Sequence, residues 1–371
     1  MRALLMSAPG RLEIAEIPAP EPPPGWAKLR VVASALGLFH TQMAKGMLDT
    51  GGFPRILGHE IVGEVVEADS AASPDPGTLV VADAVVGCGA CEWCIRGEDS
   101  ICPWMRHLGI DLDGGFAEYV IVPESNIFPL PDDIDIEESV MLGSAVPSAV
   151  HAVTRAGVTT GSRVLVSGAG SIGFTVCQVA RAFGATTVVA VDVSDSQLEA
   201  VAPLVDATVN ASSMAAAEVA ERVRSLAGAD HGVDFAFETA GQVSSLDLTV
   251  RAIRPGGAAL LMGICDGPTA IGFDDYLGEF VRREVSLTTT FGFTRRDFMV
   301  GNALYLSGRL DVAPMVGKTV ALDDVPGTLA EIDRDGTGGK RHIVDVAMGA
   351  RRATTQPANH PPSTGMNAPV T

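Results

Sequence analysis

Arg163-Val164-Leu165-Val166-Ser167-Gly168-Ala169-Gly170-Ser171-Ile172-Gly173 decides the fold. The aliphatic run predicts a buried strand over 164–167, and the apolar-faced stretch after the glycines predicts a helix over 172–183. Between them stands Gly-x-Gly-x-x-Gly, a weak pattern alone but here in the strand–turn–helix setting it requires. Gly168 makes the tight turn. Gly170 lets the backbone approach a pyrophosphate, which sits on the positive N-terminus of the helix. Gly173 lets helix and strand pack closely. Ser171 and Ile172 complete the predicted cofactor-binding stretch.

A second strand is predicted over 187–191, and Asp192 ends it. A carboxylate there accepts hydrogen bonds from the adenosine ribose hydroxyls. A 2′-phosphate would meet a like charge, and residues 193–197 contain no Arg or Lys to neutralise it. The expected cofactor is therefore NAD(H) rather than NADP(H). Further buried strands are predicted over 233–237 and 258–262, so this part reads as an α/β doubly wound sheet.

Working outward, residues 1–150 read as short strands broken by Gly and Pro, for example over 27–33 and 61–67. That spacing suggests an irregular β-barrel-like domain. The predicted division is 1–150, a cofactor domain over 151–290, a return to the first domain over 291–348, and a disordered tail over 349–371.

Of the 371 residues, 47% are hydrophobic, which suffices for two cores, and the net charge is −19. That balance argues against nucleic acid and against anionic membrane surfaces. The N-terminus lacks the apolar run of a signal peptide. Residues 158–193 are apolar but interrupted by Gly, Ser and Asp below membrane-spanning length. Six cysteines, four in one cluster, fit a reducing cytoplasm better than a disulfide scaffold. Cys177 and Cys265 are expected to be buried hydrophobes.

The cluster is Cys88, Cys91, Cys94 and Cys102, spaced C-x2-C-x2-C-x7-C within a lobe over 87–104. Four thiolates can close a tetrahedral shell around one structural zinc. A closed shell has no open position for Lewis-acid chemistry, so its role is to staple a loop with too little apolar content to fold alone. Free or redox-active thiols are the plainer alternative.

With the glycine motif and this lobe, Gly37-Leu38-Phe39-His40-Thr41-Gln42 and Gly58-His59-Glu60 make the chain resemble the medium-chain dehydrogenase/reductase superfamily, and within it the zinc-containing alcohol dehydrogenases. The resemblance covers about residues 1–348. It implies a GroES-like catalytic domain, a Rossmann cofactor domain, and a homodimer or homotetramer acting on a small-molecule substrate. In such enzymes a catalytic zinc is held by a Cys, a His and a further Cys or acidic residue. His59 matches the His and Glu60 the adjacent Glu. Phe39 occupies the first Cys position and Ser144 the second. Gln42 replaces a neighbouring Asp, and Ala44 falls where many members carry a relay His. Thr41 and Ser148 keep hydroxyls near the reacting centre. His40 and Arg341 match pyrophosphate contacts.

These replacements point away from a catalytic zinc. A Phe ring offers no lone pair, and a neutral Ser hydroxyl is a poor ligand, while a catalytic site usually takes three protein ligands. Without the metal, hydrogen-bond donors must stabilise any alkoxide, and Thr41, Ser148 and a protonated His59 are the candidates. An iminium loses charge as hydride arrives, and a conjugated enone spreads it, so both need less help. The leading expectation is an NAD(H)-linked oxidoreductase lacking catalytic zinc that reduces an activated C=C, C=N or carbonyl. An ordinary zinc alcohol or polyol dehydrogenase with unusual ligands is the second reading, and a non-catalytic NAD-binding protein the third. Met47, Trp104 and Phe291 are candidate pocket walls. His59 also admits the plain reading of a buried core histidine, and Thr41 and Ser148 that of local backbone hydrogen bonding.

Overall fold

The computed structural model describes residues 1–348 apart from 48, 49, 266, 268 and 274. The tail expected to be disordered, 349–371, lies outside the described residues. Among the described residues no helix is long and apolar enough to cross a membrane.

The predicted cofactor unit is a six-stranded parallel sheet. Its spatial order is Ala207–Asn210, Thr187–Asp192, Arg163–Ser167, Val233–Glu238, Ile253–Leu261, Ser286–Thr289. Chain order reverses between Arg163–Ser167 and Val233–Glu238, and a crevice for a dinucleotide opens at such a switch point. Val164, Leu165 and Val166 are fully buried, as a strand covered on both faces requires. The helix Ser171–Ala182 follows directly, with Gly170 at its N-cap and an apolar face that includes Val176, Cys177 and Val179.

The other large sheet has seven strands. Its path runs Ile127–Pro129, Leu79–Ala82, Ile61–Glu67, Trp26–Leu36, Arg341–Asp345, Val316–Ala321, and Tyr119–Pro123 also pairs with Trp26–Leu36. Arg341–Asp345 runs antiparallel to Trp26–Leu36 and parallel to Val316–Ala321. The chain leaves this sheet, builds the parallel sheet, and comes back to fill a central position. Trp26–Leu36 is longer than the seven residues expected, because it pairs with three different partners along its length.

Cys177 is fully buried, which pushes its thiol up to about 12. Cys265 departs from expectation. It is only half-buried, because it lies beyond the last residue of Ile253–Leu261, where the chain leaves the sheet.

Gly173 is the tightest point of the glycine turn: a Cβ there would lie 1.8 Å from the Gly168 carbonyl oxygen. Backbone cannot retreat as a flexible side chain can. Gly173→Ala should therefore lose about 1–3 kcal/mol of stability, the usual cost of overpacking. Thermal unfolding checks this, and an unchanged Tm would show that the turn relaxes freely.

Candidate active site

The glycine turn presents an open cradle on one side only. Gly168 has φ +104°, and its carbonyl accepts from the Thr239 hydroxyl at 2.8 Å. At Gly170 a Cβ would meet only Gln197 Oε1, at 3.4 Å, so the backbone there is approachable. The first N–H groups of Ser171–Ala182 have no partner within the helix and are available to an anion. Asp192 ends its strand as expected. Its Oδ2 accepts from the Ala169 N–H at 2.7 Å and its Oδ1 from the Ser194 N–H at 2.9 Å. The carboxylate is thus held at the rim of the cradle with lone pairs to spare, and these residues fit a dinucleotide.

A second constellation lies in the first domain. The short helix Leu38–Ala44 carries Phe39, His40 and Thr41, and His59 and Glu60 precede the strand Ile61–Glu67. His40 and His59 stack with ring centroids 4.7 Å apart. Phe39 meets His59 edge-on at 5.3 Å. The run continues through His107, 5.5 Å from His59, to Phe291, 6.5 Å from His107. Phe116 lies 5.2 Å from His40 on the other flank. Gly58, at φ +96°, is obligatory here, since a Cβ would come within 2.7 Å of the Phe116 ring.

Glu60 is fully buried. Its Oε1 accepts from the Ala145 N–H at 3.2 Å, and its Oε2 lies 3.7 Å from Nε of buried Arg341. Burial pushes this carboxyl up, while Arg341 and the Ala145 N–H pull against it. Burial likewise pushes His40 down to about 3, with Arg341 adding to it, and the Gly37 N–H donates to its Nδ1 at 3.2 Å. His59 falls well below the usual imidazole value, first through burial and then through His40, His107 and Arg341. The expected protonated His59 is thereby corrected. A site that excludes water and sets the Arg341 guanidinium nearby favours a neutral ring. Thr41 donates its hydroxyl to the Leu38 carbonyl at 2.6 Å, so its remaining capacity is as an acceptor. Ser148 is half-buried within the helix Ala145–Ala156, whose first N–H grips Glu60.

Four buried side-chain atoms in this neighbourhood have no hydrogen-bond partner: His40 Nε2, His59 Nδ1, Glu60 Oε2 and Arg341 Nε. They offer two neutral nitrogens and one carboxylate oxygen beside a guanidinium. These are three donor atoms, but among the described residues His40, His59 and Glu60 do not come together as a close group able to hold a metal ion, and Phe39 contributes only ring edge, so the set does not fit a three-ligand zinc site.

The four cysteines do fit a metal. Their sulfurs lie within 4.8 Å of one another, with Cys91–Cys94 at 3.5 Å, Cys91–Cys102 at 3.6 Å and Cys88–Cys94 at 4.0 Å. A tetrahedron with zinc–sulfur bonds of about 2.3 Å has edges of about 3.8 Å. The Ala90 and Cys91 N–H groups pull Cys88 down, while burial and the neighbouring thiols push Cys94 up, so the metal-free cluster shares its protons unevenly and the spacing of the sulfurs carries the case for a metal. Among the described residues this is the one close cluster of three or more potential ligands.

Two domain models match this chain: the alcohol dehydrogenase GroES-like domain over 23–132 and zinc-binding dehydrogenase over 171–304. D-xylulose reductase A of Aspergillus oryzae is 30% identical over 79% of this chain and 81% of its own length. This chain belongs to the zinc-type alcohol dehydrogenase family of medium-chain dehydrogenases/reductases. It is an oxidoreductase of that family, built on a GroES-like and a Rossmann domain. L-threonine 3-dehydrogenase of Pyrococcus horikoshii is 29% identical over 92% of this chain and 97% of its own length. A protein of the zinc-binding dehydrogenase type from Sinorhizobium meliloti 1021, solved with NADP, superposes with a TM-score of 0.83. That match covers 93% of this chain and 98% of the other at 26% identity.

Sequence reasoning misses His107 and Phe116 and the pairing of Glu60 with Arg341. No local signal marks them, since each contact joins segments distant in the chain. Gly37 does carry one. A glycine just before a helix suggests close approach, and here a Cβ would sit 2.5 Å from Arg341 Nη1.

His40 supplies a pH test. The unfolded imidazole takes a proton below about 6.5, whereas the folded one resists until about 3. Its contribution to stability is therefore lost as pH falls from 6.5 towards 3. His40→Gln lacks that component, so its unfolding free energy should decline less steeply between about pH 7 and 5 than that of the wild type. Urea titrations at both pH values measure this, and equal slopes would contradict the burial argument.

Proposed function

We propose that this protein is an NAD(H)-dependent oxidoreductase that works without a catalytic zinc, reducing an activated C=C, C=N or carbonyl group of a small organic molecule. The observation that carries this reading is the Phe39 ring packed edge-on against His59 at 5.3 Å, where a ligating side chain would have to stand. Glu60 supports it, because its two oxygens face the Ala145 N–H and Arg341. Bound at the glycine cradle, the dinucleotide would supply or accept the hydride. The residues of this chain would orient the acceptor against it. Neutral His59 can donate one N–H but brings no positive charge, which favours acceptors that spread or lose charge on reduction. Thr41 and Ser148 are the hydroxyls proposed near the reacting centre, and His40 and Arg341 the side chains proposed near the pyrophosphate.

The cofactor preference rests on Asp192 and on the absence of Arg or Lys from residues 193–197. Titration with NADH and NADPH should give tighter NADH binding, and Asp192→Ala should narrow the difference. Tighter NADPH binding would align this chain with the NADP-bound Sinorhizobium protein instead. The strand Ser286–Thr289 is an edge of its sheet with Leu287 exposed, so pairing of two such edges is the proposed route to a homodimer or homotetramer.

A second reading, a zinc-dependent alcohol or polyol dehydrogenase, is favoured by the unpartnered His59 Nδ1 and Glu60 Oε2. It is also in keeping with the reductase name of the Aspergillus relative. Zinc analysis of protein purified without added metal separates the two. One zinc per chain, abolished together with several degrees of Tm in Cys102→Ser, is expected for a loaded cysteine lobe alone. Two zincs per chain, with activity lost on removing the second, would return the reaction to the zinc-dependent mechanism.

A further inference from the structure

The aromatic run extends from Phe39 and His59 to Phe291. His107 bridges them and has no part in the cofactor cradle or the cysteine lobe. Phe39 is half-buried, His59 and His107 are buried, and Phe291, at 49% exposure, brings the far end of the run to the surface.

His107 is held unusually firmly. Its N–H donates to Asp111 Oδ2 at 2.8 Å. Its carbonyl accepts from the N–H groups of Ile110, Asp111 and Leu112 at 3.1, 2.9 and 3.1 Å. It also pairs with Val85 in the two-stranded ladder of Arg106–His107 with Val85–Val86. The ring is fixed as well. Nδ1 lies 2.8 Å from the Leu108 carbonyl oxygen, which can only accept, so Nδ1 carries the hydrogen. Burial keeps the imidazole neutral by pushing it below its ordinary value. Nε2 is then the acceptor nitrogen, on the side of the ring remote from its own backbone. Its ring neighbours are the imidazole of His59 and the phenyl ring of Phe291.

We propose that His107 is a specificity-determining residue whose Nε2 accepts a hydrogen bond from an O–H or N–H group of the substrate, a few bonds from the carbon that exchanges hydride. This rests on the reading of the Phe39–His59 pocket as the hydride-transfer site. A fixed acceptor in aromatic surroundings discriminates strongly. A substrate lacking the donor leaves the lone pair dehydrated and unpaired, whereas a matching donor satisfies it. The substrate class is thus a carbonyl or imine compound with a neighbouring hydroxyl, amine or amide N–H, rather than a plain hydrocarbon ketone. The imidazoles themselves offer a carboxylate or phosphate tail no positive charge, since burial pushes His40, His59 and His107 towards the neutral form, and Arg341 beside the inner two faces Glu60.

The test uses full-length protein saturated with NADH and two near-isosteric ketones, hydroxyacetone and butanone. Binding is followed by the change in NADH fluorescence and turnover by NADH oxidation. Wild type should prefer hydroxyacetone by about tenfold or more, the worth of one well-placed hydrogen bond. His107→Leu should abolish that preference while leaving NADH affinity and Tm close to wild type. His107→Gln, which keeps an acceptor oxygen, should restore part of it. Equal affinity for both ketones in wild type, or a preference that survives in His107→Leu, overturns the assignment while leaving the hydride-site reading intact. Loss of NADH affinity in step with the ketone effect would make His107 merely structural. Binding of neither ketone overturns the assignment, whereas hydroxyacetone that binds without any NADH oxidation overturns the hydride-site reading on which it rests.

Discussion

The contact between Glu60 and Arg341 organises this molecule. Three segments remote in sequence meet at one buried carboxylate: the start of Ile61–Glu67, the first N–H of Ala145–Ala156, and the start of Arg341–Asp345. Removing both charges from water is costly, and here the Ala145 N–H satisfies Oε1 while Oε2 and Arg341 Nε face each other at 3.7 Å without a hydrogen bond, so their mutual attraction has to offset that cost. Loss of either partner would strand the other as an isolated buried charge. The same guanidinium explains Gly37, whose missing side chain makes room for it. That glycine in turn starts the helix bearing Phe39, His40 and Thr41. The helix Leu38–Ala44, the loop before Ile61–Glu67 and the start of Ala145–Ala156 therefore all adjoin one buried charge pair.

What surrounds that pair is a site built on shape rather than charge. Three imidazoles lie in one ring run, and burial holds all of them towards the neutral form. Neutral rings can pack against one another and against Phe39, Phe116 and Phe291 without the like-charge repulsion that three adjacent imidazoliums would bring. The Phe39 ring adds an apolar wall against His59, which favours the neutral imidazole.

The parts of this architecture that are legible in the sequence are those whose physics is local. The turn at Gly168, Gly170 and Gly173 needs its glycines within six residues, and Asp192 follows at the end of the next strand. Four cysteines within one lobe announce a shared ligand shell by spacing alone. His107 is invisible for the opposite reason. Its neighbours come from 59 and 291, and its tautomer depends on a carbonyl whose direction only the folded backbone defines. The neutral state of His59 escapes the sequence because burial is a property of the whole fold. The full length of Trp26–Leu36 escapes it because late partners, Arg341–Asp345 among them, extend that strand.

That late partner bears on the order in which the chain can fold as it is made. The parallel sheet is complete once Ser286–Thr289 has emerged, but the other sheet lacks an inner strand until Arg341–Asp345 appears. Throughout synthesis of the entire cofactor domain, Trp26–Leu36 carries an open edge at Ala33 to Leu36, next to an apolar core that is not yet closed. Unpaired edges of this kind recruit other strands. The nascent protein is therefore most exposed to misassembly at its first-made half. The last of the described strands to be translated, carrying Arg341 to Glu60, both seals that edge and completes the buried charge pair.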